Sequence, residues 1–213
     1  MSSERSSDRA VRLKAEADEW LELNVAGGAR ICVPLSLDQI TPYVLLEQED
    51  WFEDEIRFVR RWLDSGMRVV DVGANFGLYT VAMARLVGSE GRVWAFEPTP
   101  ATADYLQRNL DLNGLASVEL HRAAVSDRDG IVSFSLGASS ELNAVAAAGA
   151  PGNIVEVQAV TLDRMAVERG WSVIDFVKLD VEGHENEAVR GGKNFFSACS
   201  PLVRISTAAS HDC

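Results

Sequence analysis

The chain has 213 residues, 47% hydrophobic and 24% charged, which suits a globular protein with one sizeable core and sets aside the disordered and fibrous classes. Its formal charge is −12, so nucleic acid is not an expected partner, because neutralising phosphates needs clustered Lys and Arg. Cys32, Cys199 and Cys213 are odd in number and show no C-x-x-C or His-spaced pattern, which implies neither a disulfide framework nor a zinc site.

Residues 1–8 are polar and Ser-rich and are expected to form a disordered tail. They hold no apolar segment for secretion, and no later run reaches the roughly 20 apolar residues that span a bilayer. The expected setting is the cytoplasm, with no membrane partner. Residues 9–50 read as an N-terminal extension. Within it, residues 20–34 alternate apolar and polar around Gly27-Gly28, the pattern of a β-hairpin, expected to cover one side of the site. Residues 51–213 are expected to be the main domain. It opens with a helix whose stripe is Phe52, Ile56, Val59 and Leu63, ended by Gly66, with Trp51 and Phe52 expected in the core.

The chain is organised around R-V-V-D-V-G-A-N-F-G-L-Y-T, residues 68–80, which reads as strand, tight turn and helix. Val69, Val70 and Val72 begin the continuous apolar run of a parallel strand buried on both faces. Gly73 and Gly77 bring no Cβ, so that a ligand can approach the turn and the helix can pack on the strand. Asn75, between them, is the non-glycine type most tolerant of left-handed dihedrals. The N–H groups of Phe76 and Gly77 are expected to face a ligand. The dinucleotide fingerprint G-x-G-x-x-G does not fit, whereas D-x-G-x-N-x-G does. Asp71 would repel a pyrophosphate but not a cation, which favours S-adenosylmethionine over a nicotinamide dinucleotide.

A second strand, residues 93–96, delivers Glu97 to its carboxyl end, close to the roughly 20-residue spacing from the first glycine at which a carboxylate meets ribose hydroxyls. Pro98 stops the ladder, and Thr99 and Pro100 start a helix that runs through Tyr105, Leu106 and Leu110 to Asn113-Gly114. V-E-L-H-R-A-A-V-S-D, residues 118–127, reads as a third strand ending near Asp127. Asp129-Gly130 turns the chain into residues 131–136, and residues 137–152, small and alanine-rich, read as a loop over the site. Residues 154–160 alternate again, a short helix follows from Thr161 to Gly170, and residues 174–180 make a fourth parallel strand. This rhythm predicts an α/β fold, a doubly wound Rossmann-like sheet with ligands at the carboxyl ends of its strands.

Asp180, Glu182, His184 and Glu185 fall within six residues at the mouth of that fourth strand. A carboxylate or imidazole there can serve as general base for methyl transfer to a hydroxyl, while an acidic helix start is the structural alternative. No second acidic set is visible to complete an oxygen cage, so no metal is expected.

D-V-G-A-N-F-G-L-Y-T, A-F-E-P-T-P, N-L-D-L-N, A-A-V-S-D-R-D-G, V-T-L-D and D-F-V-K-L-D-V-E-G-H-E, in that order, resemble the FkbM family of S-adenosylmethionine-dependent methyltransferases across about residues 30–196. The resemblance implies O-methylation of a hydroxyl on a sugar, glycan or natural product. It implies that Asp71, Gly73, Ala74, Asn75 and Gly77 hold the methionine part and Glu97 the ribose. Asp127, with Ala124 and Val125, would lie by the adenine, and Asp180, Glu182 and His184 by the transferred methyl.

Two departures stand out. Asn186 occupies a helix position where the family has an apolar residue, and it is expected to loosen packing there. After P-L-V-R-I-S, residues 201–206, the family pattern continues with further strands, whereas T-A-A-S-H-D-C does not. The expectation is a truncated member with an exposed apolar edge strand, through which a homodimer can form. The alternative function is a non-catalytic, cofactor-binding remnant.

Overall fold

The computed structural model describes residues 12–14, 20–25, 27–35, 41, 45, 54–137, 144–145 and 153–206. The expected tail, Trp51 and Phe52, most of the 137–152 loop and the chain after Ser206 lie outside the described residues.

Strands β1 (Arg12–Lys14), β2 (Trp20–Val25) and β3 (Ala29–Pro34) form an antiparallel sheet in that order. The expected hairpin is present, its turn made by Gly27 and Gly28 at φ 82° and 73°, and β1 adds a strand to it. Helix α1 (Asp54–Trp62) lays Ile56 and Val59 into the core and is followed by Gly66, with φ 85°.

The main sheet begins with β4 (Arg68–Val72), α2 (Leu78–Val87), β5 (Arg92–Phe96), α3 (Pro100–Asn113) and β6 (Val118–His121). The chain then leaves it for a smaller sheet of β7 (Ala124–Val125), β8 (Gly130–Leu136), β9 (Ala144–Val145) and β10 (Asn153–Val160), in the order β7-β10-β8-β9. It returns through α4 (Leu162–Arg169), β11 (Phe176–Leu179), α5 (Glu185–Arg190), α6 (Lys193–Cys199) and β12 (Leu202–Ile205). The main sheet is parallel throughout, in the order β12-β11-β4-β5-β6.

Successive residues of the central strands point to opposite faces, and both faces are covered. Val70, Trp94, Phe96 and Val177 pack with Leu162, Met165, Trp171 and Phe195 on one side. Val69, Val93 and Phe176 pack with α1 and α2 on the other. Burial on two sides is why these strands read as near-continuous apolar runs. The N-terminal hairpin joins the same core, because Leu21, Leu23, Ile31 and Val33 share a cluster with Phe76, Ala95, Leu106 and Leu110.

The structure corrects three expectations. Residues 118–127 are two strands in two sheets, not one: Ala123 N donates to His121 O at 3.0 Å, a one-residue reversal that ends β6 and redirects the chain into β7. Residues 137–152 are not wholly loop, since Ala144 and Val145 pair with Ser135 and Phe134. Asn186 is exposed on α5, so its polarity costs no packing.

The connections from β4 run to β5 on one side, and β11 lies on the other. The strand order therefore reverses between β4 and β11, the place where open α/β sheets bind ligands beyond the strand ends.

Candidate functional site

Every N–H from Gly73 to Gly77 is spent within the chain. Gly73 N and Ala74 N donate to Phe96 O at 3.1 and 2.9 Å, and Gly77 N donates to Ala74 O at 2.9 Å. Asn75 N donates to Glu97 Oε2 at 3.0 Å, and Phe76 N donates to Asn75 Oδ1 at 2.9 Å. The expectation that Phe76 and Gly77 offer free N–H groups is therefore corrected: this bend is not a phosphate cradle. Asn75 takes the left-handed backbone expected of it, at φ 51°.

The two glycines serve the protein's own packing. A Cβ on Gly73 would overlap the carbonyl oxygen of Asp180, which closes against the bend as Asp180 N donates to Val72 O at 3.0 Å. A Cβ on Gly77 would overlap Leu106 of α3. Both have positive φ, 79° and 90°. Ala74 is buried, 5% exposed.

Asp71 lies beneath the bend and not on its open side, fully buried within β4. Thr80 Oγ1 donates to its Oδ2 at 2.6 Å, and Lys178 Nζ stands 3.8 Å from its Oδ1. Burial pushes the Asp71 carboxyl above the usual range, against the pull of Lys178 and Thr80. Lys178, its side chain 5% exposed, also reaches Asp180 Oδ2 at 3.0 Å and lies 4.8 Å from the centre of the Tyr79 ring. Asp71, Lys178 and Asp180 thus form one chain of charges under the switch point.

Glu97, 6% exposed, accepts from Asn75 N through one carboxylate oxygen and from Thr99 N through the other, at 3.0 and 2.9 Å. Burial raises its pKa to about 7, with the two backbone donors opposing the rise. The Thr99 side chain bonds the carboxylate as well, which leaves one of its four acceptor positions for a ligand hydroxyl.

At the far rim, Ala124 is buried in β7 and pairs with Ala159, while Asp127 is exposed. Between them is Ser126, whose Oγ lies 3.0 Å from His184 Nε2. His184 Nδ1 stands 3.6 Å from Glu187 Oε2, so both ring nitrogens face groups of this chain. Burial lowers the His184 pKa, opposed by Glu187 and Asp127. Glu182, with φ 47°, and Gly183, with φ 88°, make the bend between β11 and α5, and Glu182 is exposed.

The structure thus brings Asp71, Gly73, Asn75, Glu97 and Asp180 into contact around one bend, and groups Asp127 with His184 at a second point. Lys178, Thr80 and Ser126 complete these clusters, and sequence reading passed over all three. Lys178 had a signal, since a lone Lys within the apolar strand F-V-K-L is rarely buried without a carboxylate partner. Among the described residues, no three His, Cys, Asp or Glu side chains are grouped to hold a metal ion, and no helix is long and apolar enough to cross a membrane.

The Methyltransferase FkbM domain profile matches residues 71–212. The chain belongs to the FkbM methyltransferase family. S-adenosylmethionine is that family's cofactor. Among its relatives, hexuronic acid methyltransferase AglP of Haloferax volcanii is 28% identical over 155 residues, 71% of this chain and 60% of that protein. Methyltransferase sdnD of Sordaria araneosa is 31% identical over 161 residues, 61% of each chain. The 2-O-methyltransferase NoeI of Sinorhizobium fredii is 26% identical over 141 residues, 59% of this chain and 57% of that protein. The chain therefore spans about six tenths of the length of these relatives.

The residues present fit the family's cofactor. A bend with its N–H groups internally bonded has no use for a pyrophosphate, while Glu97 keeps one acceptor position for a ribose hydroxyl and Asp180 supplies negative charge at the strand end.

Proposed function

We propose that this chain transfers a methyl group from S-adenosylmethionine to a hydroxyl oxygen of a sugar, glycan or natural product. The observation that carries the reading is the Glu97 carboxylate, held at the carboxyl end of β5 by Asn75 N, Thr99 N and the Thr99 side chain, with one acceptor position left. Membership of the FkbM family and the names of AglP and NoeI, a hexuronic acid methyltransferase and a 2-O-methyltransferase, support the acceptor class.

The bound cofactor supplies an electrophilic methyl on a cationic sulfur. Glu97 binds the ribose, and Asp127 and the buried Ala124 bound the adenine end. Gly73, Ala74, Asn75 and Gly77 shape the wall against the methionine part, with Asp71 supporting that wall from below. Asp180, fixed by Lys178, orients the cofactor's cationic end. Glu182, exposed on the bend after β11, would take the proton of the acceptor hydroxyl, freeing its oxygen to receive the methyl group that the cofactor would supply. His184 braces the bend and is not the base, a reading supported by its contacts with Ser126 and Glu187. Positioning the acceptor hydroxyl against the cofactor would supply much of the acceleration.

The test is to incubate the protein with methyl-labelled S-adenosylmethionine and uronic acid or neutral saccharides. Label in a base-stable ether is the expected outcome. Label in a base-labile ester, or on nitrogen, sinks the O-methyl reading.

A further inference from the structure

Helix α3 presents two asparagines one turn apart to the outer edge of β3, and their amides act as a substitute strand. Asn109 Oδ1 accepts from Cys32 N at 2.5 Å, and Asn109 Nδ2 donates to Cys32 O at 2.9 Å. Asn113 Oδ1 accepts from Arg30 N at 2.9 Å, and Asn113 Nδ2 donates to Arg30 O at 2.6 Å. The match is geometric. Four residues of helix rise about 6 Å, close to the roughly 6.6 Å between alternate residues of a strand. The N-L-D-L-N sequence thus covers an edge that the β1-β2-β3 sheet leaves open.

Asn109 does one thing that Asn113 does not. Its Nδ2 also donates to Phe76 O at 2.8 Å, inside the bend between Gly73 and Gly77. The Asn109 side chain is fully buried, and both of its protons are used, one on the hairpin and one on the bend. The second donation of Asn113 goes back to Asn109 O at 2.7 Å and touches nothing in the bend. Phe76 also packs edge-on against Tyr105 of α3, at 5.6 Å between ring centres, so the carbonyl and the ring are held by the same helix.

We infer that Asn109 is a positioning residue for the cofactor, and that through it the N-terminal hairpin sets the shape of the Gly73 to Gly77 bend. The inference rests on the reading that this bend receives an S-adenosyl group. The hairpin is then part of the cofactor apparatus, not a cover over the acceptor. Because coupling is reciprocal, a ligand in the bend must also steady the hairpin.

The experiment compares Asn109→Ala with Asn113→Ala in the whole chain. Each loses two bonds to β3, and Asn109→Ala should lower the melting temperature more, because it leaves buried polar groups of Cys32 and Phe76 without partners. Calorimetry with S-adenosylhomocysteine should show Kd raised about tenfold in Asn109→Ala and changed less than twofold in Asn113→Ala. Equal effects of the two variants, or no effect of either, overturn the inference. If Asn109→Ala does not fold, amide hydrogen exchange on the unaltered protein decides. Saturating S-adenosylhomocysteine should slow exchange at Cys32 N several-fold, and an unchanged rate there overturns the coupling. An unaltered protein that does not bind S-adenosylhomocysteine at all refutes the cofactor reading instead.

Discussion

Asp71 and Lys178 are register partners in the paired strands β4 and β11, and their side chains approach to 3.8 Å on the face covered by α2. A carboxylate and an ammonium this deeply buried tolerate each other far better than either tolerates solitude. Lys178→Met should therefore cost about 3–5 kcal/mol in denaturant unfolding, by leaving Asp71 without its counter-charge. Asp71→Asn with Lys178→Met should regain a large part of that loss. Strict additivity of the two single changes would show that the pair is not coupled.

Glu97 makes stability and cofactor binding respond to pH in opposite directions. Its folded-state pKa is about 7 against an ordinary value of 4.5. A raised carboxyl contributes stability that is complete below about pH 4.5 and lost as pH rises through about 7. Between pH 5 and 8 the unaltered protein should lose up to about 3 kcal/mol relative to Glu97→Gln, which cannot ionise. Affinity for S-adenosylhomocysteine should rise over the same interval, since the ionised carboxylate accepts a ribose hydroxyl more strongly than the neutral acid does. Parallel pH profiles for the two proteins would place the titration elsewhere.

The two glycines of the bend should differ in tolerance. Alanine at position 73 meets the Asp180 backbone, which cannot move without opening the β4–β11 pairing, whereas alanine at position 77 meets the end of the Leu106 side chain. Left-handed strain of roughly 1–2 kcal/mol applies to both. Overpacking of about 1–3 kcal/mol is added, at the upper end for Gly73→Ala and at the lower end for Gly77→Ala. Thermal melting of the two variants checks the order, and a less stable Gly77→Ala contradicts it.

Glu182 and His184 should separate cleanly in kinetics. Glu182→Gln should reduce kcat by about 10²–10⁴, the usual worth of a general base, with S-adenosylhomocysteine affinity nearly unchanged. His184→Asn and Ser126→Ala break the brace at 3.0 Å, the former releasing Glu187 as well, and should reduce kcat by less than about tenfold. The reverse ranking would make His184 the base.

The parallel sheet was legible because its strands are buried on both faces and its glycines fall at turns with positive φ. The split between β6 and β7 was not, because a one-residue reversal at Arg122 carries no glycine or proline to mark it. The site's acidic residues were visible as residues at strand ends, and their partners were not. Nothing local to Asp71 announces that Lys178, more than a hundred positions later, shares its register. Asn109 and Asn113 were visible as a motif, yet their role needs β3 beside α3, a fact of packing alone.

The central claim is that the bend after β4 and the carboxylate of Glu97 together receive an S-adenosyl group. Titration calorimetry of S-adenosylhomocysteine and of NAD against the unaltered protein and Glu97→Ala tests it most directly. The account predicts binding of S-adenosylhomocysteine, no binding of NAD, and an affinity about 10- to 100-fold weaker in Glu97→Ala, as expected from losing charged hydrogen bonds. Equal affinity of the two proteins for S-adenosylhomocysteine, or preference for NAD, would contradict it.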